Sequence, residues 1–258
     1  WPLSAKHLAQ AHKLVQAELD AGHLEESTSP WNTPIFVIPK KVTGKWRLLH
    51  DLRAVNNQMM DMGPQQPGLP KVSMLPTGWP VIVLDIKDCF FSIPLHPQDR
   101  LRFAFSLLPI NLSGPSLRYQ WTVLPQGMKN SPTICQRYVA NAIQPTRTAY
   151  PQVPILHYMD DILIAAPDEQ TVEKVFGQMV ARLAKHKLYI SEAKIQKGPS
   201  VKYLGTILSP TSVKPQLLSV DPQVSTLNDL QRLVGALQWV RQFIPVPEDS
   251  MVPFYQLL

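Results

Sequence analysis

Cysteine is nearly missing from this sequence: Cys89 and Cys135 are the only two in 258 residues. They form no C-x-x-C pair, and the seven histidines show no ligand spacing, which argues against a zinc site. Reduced thiols in a cytosolic or intravirion setting are the natural reading. No apolar run approaches the ~18 residues needed to span a bilayer. The N-terminal "WPLSAKHL" lacks the apolar stretch of a signal peptide. It also lacks an initiator Met, so the chain reads as a processed product or an excised fragment. Neither a low-complexity linker nor an internal repeat is present, and the 26 prolines are scattered. Acidic residues are the scarcer charge, 19 against 25 Lys and Arg, for a formal +6. That balance suits a polyanionic partner and equally suits an ordinary basic surface.

The patterning that is present predicts alternating helices and hairpins. Leu8, Ala11, Val15 and Leu19 fall on one helical face, with Ser4 at its start and Gly22 at its end. "TPIFVIPK" and "KWRLLH" predict two strands around "KKVTG", so that Lys40, Lys41, Lys45 and Arg47 cluster near a hairpin tip. Such a cluster is either a phosphate site or a solvated tip. "VIVLDI" (81–86) predicts a short buried strand, and "RYQWTVL" (118–124) another. Ser131 is expected to cap a helix with Pro132 in its first turn, burying Ile134, Tyr138 and Ile143. Asp168 opens a helix whose Val172, Val175, Phe176, Met179, Val180 and Leu183 repeat at helical spacing. "VKYLGTILSPTSVKP" predicts a hairpin, and Leu227, Leu230, Val234, Leu237 and Phe243 a final helical stripe. Antiparallel hairpins mixed with helices define an α+β chain, with helices backing an antiparallel sheet.

Within "ILHYMDDILIAA" two carboxylates, Asp160 and Asp161, interrupt apolar strand-like runs. In one continuous strand they would point to opposite faces and one would enter the core. A tight hairpin places both at its tip instead. Asp85 ends the upstream strand, and if the strands are neighbours three carboxylates converge. A pair of hard divalent cations would relieve their repulsion and suits nucleotidyl transfer. The bland alternative is a turn rich in Asp, a residue that favours turns.

"HYMDDILIA", "VIVLDIKDCFFSIPL" and "VLPQGMKNSP" together resemble the polymerase core of retroviral reverse transcriptases. "SPWNTPIFVIPKK", "KWRLLHDLRAVN", "KYLGTIL" and "LNDLQRLVGALQWVR" continue the resemblance in order along essentially the whole chain. The variants are most similar to alpharetroviral and betaretroviral Pol and to class II (K-type) endogenous retroviral elements. The resemblance implies a right-hand fold: 1–82 fingers and the start of the palm, 83–94 palm, 95–125 fingers, 126–216 palm, and 217–258 part of the thumb. Connection and RNase H domains would lie outside the chain.

The resemblance also implies roles residue by residue. Asp85, Asp160 and Asp161, with the Ile86 carbonyl, match the metal-binding positions for two Mg²⁺ ions, with Mn²⁺ as an alternative. Lys40 and Arg47 match cations that touch the incoming triphosphate, and the amides of Asp88 and Cys89 match its cradle. The Cys89 side chain is expected only to pack. Phe90 matches the aromatic gate under the sugar, while Phe91 is expected in the core. Gln126 matches the glutamine beside the sugar, with Gly127 allowing the turn. Tyr158 and Met159 match positions lining the primer end and nucleotide, and Tyr203, Leu204 and Gly205 match the primer grip. Implied partners are dNTP and an RNA or DNA template with a DNA or tRNA primer, in a virion or host cytoplasm and without a membrane. Two further readings stay open: a remnant that binds primer–template with little turnover, and, less favoured, a two-metal nuclease.

Overall fold

The computed structural model describes residues 3–40, 44–63, 68–110, 114–216, 223–241 and 243–258. Lys41 of the expected cation cluster and the first residues of the expected thumb lie outside them. The chain opens with α1 (Ala5–Asp20), β1 (Leu24–Glu26), β2 (Ile35–Pro39), β3 (Trp46–His50) and α2 (Arg53–Gln58). β4 (Val81–Asp85), α3 (Pro97–Arg100), β5 (Ala104–Leu107) and β6 (Leu117–Trp121) follow. Next come α4 (Ser131–Ala149), β7 (Ile155–Tyr158), β8 (Asp161–Ala165) and α5 (Glu169–Lys185). The chain closes with β9 (Gln196–Lys197), β10 (Val201–Tyr203), β11 (Thr206–Ser209), β12 (Ser212–Pro215), α6 (Leu227–Val240) and α7 (Val252–Tyr255).

The centre is a four-stranded sheet in the order β7-β8-β4-β9, with every pairing antiparallel. Ile82, Leu84, Ile162 and Ile164 join Cys135, Val139, Ile143, Val175 and Met179 from α4 and α5 in the main core. On the other face, Val83, Leu163 and Ala165 pack against Val201, Tyr203 and Leu208 of the β10-β11-β12 sheet. Both faces of β4 and β8 are therefore covered, which is why these strands read as unbroken apolar runs rather than alternating ones. Each fully buried Ile or Leu there contributes about 1.5–3 kcal/mol by leaving water, so the sheet is a stiff base for whatever its strand ends carry.

The flanking elements start where side chains can cap them. Ser4 Oγ accepts from His7 N at α1, and Asp168 Oδ1 accepts from Thr171 N at 2.7 Å at α5. Thr226 and Asp229 form a reciprocal capping box on α6. Gly22, at φ +75°, closes α1.

Four expectations need correction. Ser131 does not cap α4: it sits inside the first turn and its hydroxyl donates to Pro125 O at 3.0 Å. The capping position is Asn130, whose side chain is spent tying down Met60 O and Met62 N. The strand "RYQWTVL" stops at Trp121, because the chain turns to pair with 93–95 through Leu95 N–Thr122 O and Leu124 N–Ile93 O bonds of 2.9 Å. Pro94 offers no N–H, so that pairing stays an isolated bridge. "VKYLGTILSPTSVKP" forms a three-stranded meander rather than one hairpin. In the last helix only Leu230 and Val234 are buried; Leu227 is exposed at the first turn and Phe243 lies beyond the helix end.

Candidate active site

Three residues that carry carboxylates, Asp85, Asp160 and Asp161, fall where β4 ends beside the β7–β8 turn. The β4–β8 register sets Asp85 directly across from Asp161, and Tyr158 pairs with Asp161 across the hairpin. Met159 and Asp160 are left as the two-residue loop. Such loops want φ > 0, and Met159 adopts φ +55° without being glycine. That conformation costs about 1–2 kcal/mol. It is held by Gln136 on α4, whose side-chain oxygen accepts from Met159 N at 2.6 Å. Ile86 N donates to Asp160 O at 2.8 Å, locking the loop to the strand carrying Asp85. The next bridge, Ile86 to Ile190, uses Ser191 N–Asp85 O and Lys87 N–Tyr189 O bonds and leaves the Ile86 carbonyl out of it.

Burial and neighbouring carboxylates both act on the aspartates of this corner. Burial first, then Asp160 and Asp85, push the Asp161 carboxyl up to about 6. Burial likewise raises Asp160, with Asp85 adding to the shift. Asp85 is not the unpaired anion that spacing suggests: Lys194 Nζ lies 2.9 Å from both of its oxygens. The lysine's own pKa rises through that bond. Among the described residues no group of three His, Cys, Asp or Glu side chains is gathered closely enough to hold a metal ion as it stands. The donors are nonetheless the hard oxygens that Mg²⁺ takes. The Lys194 ammonium on Asp85 shows that this corner accepts positive charge.

A cavity of about 390 Å³ opens beside this corner. Asp85, Ile86, Asp88, Cys89, Phe90, Gln126, Asp160 and Lys194 are among the residues that line it. Asp88, at φ +47°, turns the chain into a 3₁₀ segment at Cys89–Ser92. Phe90 faces the cavity, while Phe91 also stacks on the buried Trp121 ring at 5.4 Å. Gln126 is exposed beside Gly127, whose φ of +92° makes the turn and whose carbonyl accepts from Asn56 Nδ2 at 2.9 Å. A larger cavity of about 980 Å³ lies elsewhere, between 72–82 and the β11–β12 turn, away from every carboxylate of the trio.

Other expected site residues sit apart from the cavity. Lys40 and Arg47 are exposed on the β2–β3 hairpin and form no ion pair among the described residues. Arg47 lies across from Ile38, and the Lys40 N–Lys45 O bond of 2.8 Å extends the pairing. Strand alternation then gives Lys40 and Arg47 the same face. Tyr158 and Met159 are half-buried at the carboxylate hairpin. Tyr203 is buried under the sheet, and Leu204 (φ +43°) and Gly205 (φ +77°) form the β10–β11 turn. A Cβ on Gly205 would meet the Trp239 ring of α6 at 2.9 Å.

Lys194 and Gln136 escaped sequence reasoning. Lys194 stands 109 residues from Asp85 in "SEAKIQKG", with no motif to flag it. Gln136 was legible only as a polar residue near the start of a helix.

A mixed helix and sheet fold with carboxylates at adjoining strand ends and a cavity beside them is compatible with a nucleotide polymerase domain. The family described as reverse transcriptase (RNA-dependent DNA polymerase) matches residues 38–208, and the chain belongs to that family. The chain is 50% identical over 259 residues to the Gag-Pro-Pol polyprotein of Mouse mammary tumor virus (strain BR6), covering 100% of the chain and 15% of the polyprotein. It is 49% identical to the Gag-Pol polyprotein of Avian leukosis virus subgroup A (isolate RSA), covering 100% of the chain and 16% of that polyprotein. It is 47% identical to the Intracisternal A-particle Pol-related polyprotein of Mouse intracisternal a-particle MIA14, at 100% and 30%. The chain thus spans less than a third of these relatives. No described helix is long and apolar enough to cross a membrane.

Proposed function

We propose that this chain catalyses template-directed DNA synthesis, adding dNTPs to a primer 3′-OH on an RNA or DNA template. The observation that carries the reading is the register that sets Asp85 across from Asp161, with Asp160 in the adjoining loop beside the cavity. In a right-hand arrangement, 83–94 and 126–216 form the palm, 1–82 and 95–125 contribute fingers, and 217–258 begins the thumb. Asp85, Asp160, Asp161 and the Ile86 carbonyl would hold two Mg²⁺ ions, whose chemistry is to activate the attacking oxygen and to offset charge on the leaving pyrophosphate.

The chain's own groups bind and orient. Lys40 supplies a mobile point charge to the triphosphate and Arg47 a bidentate fork. The Asp88 and Cys89 amides donate to its oxygens. The Phe90 ring lies under the sugar, where a 2′-OH would collide with it, and Gln126 and Met159 border the same nucleotide. Tyr158, with Tyr203, Leu204 and Gly205, positions the primer end. Of the four non-glycine residues at positive φ among the described residues, Asp88, Met159 and Leu204 are proposed site residues and Lys187 is not; such outliers collect at functional sites, which supports this reading.

Single-nucleotide primer extension on an RNA template with Mg²⁺ tests it, comparing the wild type with Asp160→Asn. Extension by the wild type alone, with duplex binding kept by both, is the expected result. Extension by the variant would sink the carboxylate assignment. A primer–template binding module with little turnover is the second reading, favoured by the +6 charge and by the ammonium seated on Asp85. Duplex binding that weakens with salt, without extension by either protein, would favour it.

A further inference from the structure

The chain's only two cysteines lie 46 residues apart in sequence, yet their Sγ atoms are 2.8 Å apart at the cavity. Cys89 begins the 3₁₀ segment that carries Phe90, and Cys135 lies one turn into α4. Both residues are among those that line the cavity. Cys89 is 6% exposed and Cys135 fully buried. Packing alone would be served by any small apolar pair, and it gives no reason for two sulfurs to touch at the edge of this cavity.

We propose that Cys89 and Cys135 are a dithiol modification site, which a small peroxide converts to an intramolecular disulfide that locks the floor of the nucleotide pocket. Cys89, the more accessible thiol, reacts first. Its sulfur attacks one peroxide oxygen, the O–O bond breaks, and a sulfenic acid and one water result. The Cys135 sulfur then displaces that oxygen, the S–S bond forms and a second water leaves. Two thiol hydrogens and two electrons pass to the peroxide, so the step balances. The Cys135 contact and burial push the Cys89 thiol upward in pKa, so little thiolate is present and the reaction is slow. A disulfide is about 2.05 Å long, so closure draws the segment bearing Phe90 toward α4.

The effect on synthesis rests on the polymerase reading; the chemistry at the thiols does not. The test treats the full chain with hydrogen peroxide, blocks residual thiols, and maps a non-reduced digest by mass. The expected product is a Cys89–Cys135 linked peptide two hydrogens lighter than the thiol pair, with a loss in dNTP incorporation of about 10- to 100-fold, as a small misplacement of a reacting group gives. Dithiothreitol should reverse both. In Cys135→Ala the ratio of incorporation after dithiothreitol to incorporation before it should stay near one; Cys135→Val serves if the alanine variant does not fold. Sulfinic acid at Cys89, unchanged thiols, or links only between chains would overturn the site. A mapped internal link without loss of incorporation would overturn the locking. If reduced wild type extends no primer, the polymerase reading fails, while the mapped peptide still decides the thiol chemistry.

Discussion

Two hairpins carry charge at their tips and are held in different ways. β7–β8 ends in Asp160 and Asp161, and its strand residues Ile162, Leu163 and Ile164 are fully buried between α4, α5 and the β10-β11-β12 sheet. β2–β3 carries Lys40 and Arg47. It is a two-stranded sheet that leaves Phe36 and Ile38 39% and 40% exposed. A two-stranded ribbon is marginal by itself, and α1 supports only its inner face, where Leu8, Ala11 and Val15 share a core with Ile35 and Val37. Carboxylates that repel one another need a stiff base, because only a fixed backbone keeps them close. In the proposed function Lys40 and Arg47 meet the triphosphate, and their exposed hairpin leaves both side chains open to solvent where it would arrive. Burial and like charge raise the Asp161 carboxyl at the first tip, while Lys40 and Arg47 at the second form no ion pair among the described residues.

The largest expected break in that comparison is Asp85→Asn. Removing this anion should lower nucleotide incorporation about 10³-fold, the loss of several kcal/mol of charge stabilisation, with the fold intact by circular dichroism. Near-normal turnover would mean that the strained corner does no chemistry. Arg47→Ala at the exposed tip should cost about 10- to 100-fold in kcat/KM for dNTP, the worth of one charge-assisted pair, and leave thermal stability unchanged. A drop in Tm instead would make Arg47 structural.

Gly205→Ala tests the turn beneath the rigid hairpin. It forces a Cβ into both a left-handed backbone and the Trp239 ring, so a loss of about 1–2 kcal/mol is expected in denaturant unfolding. Adding Trp239→Ala should return only the steric part. A fully stable Gly205→Ala protein would show that α6 does not rest on this turn.

Two pH dependences should run in opposite senses. His50 is buried between Thr33 Oγ1 (2.5 Å) and the indole N–H of Trp121 (3.2 Å), and burial lowers its pKa to about 4. Its contribution is whole above pH ~6.5 and is lost as pH falls toward 4, because the unfolded chain takes the proton first. Asp161, raised to about 6, has the opposite sign: its ionisation destabilises the fold as pH climbs from about 4 through 6. Melts of wild type and Asp161→Asn from pH 4 to 8 should differ by that decline; parallel curves would remove the strain from the carboxylate corner. The smallest effect is expected from Lys194→Met. Freeing Asp85 from an ammonium that is 63% exposed should tighten Mn²⁺ binding to the protein alone by a few-fold, the scale of a solvated ion pair. Weaker binding would make Lys194 a helper of the cation rather than its rival.

Local pattern accounted for much of the molecule. The 3.6-residue periodicity over Val172–Leu183 and the capping Asp168 fixed α5 because an amphipathic helix needs only near neighbours. The apolar runs around "MDD" forced a hairpin, since a continuous strand would bury a lone carboxylate. The motifs in order were enough to name the family. Cap side chains spent on distant carbonyls, as at Asn130, left no local trace, and neither did the break after Trp121 imposed by pairing with Ile93 and Leu95. Hydrogen bonds made across tens of residues have no spacing rule to read.

By itself the sequence determined which residues are apolar, where turns fall, and which carboxylates would converge if their strands were neighbours. Only the tertiary structure decided that Asp85 faces Asp161, that Lys194 reaches Asp85 from 109 residues away, that Lys40 and Arg47 stand outside the cavity, and that the two cysteines touch. Periodicity is set by the geometry of neighbouring residues, whereas these contacts exist because strands and helices far apart in the chain bury their apolar faces against one another and carry their polar ends along.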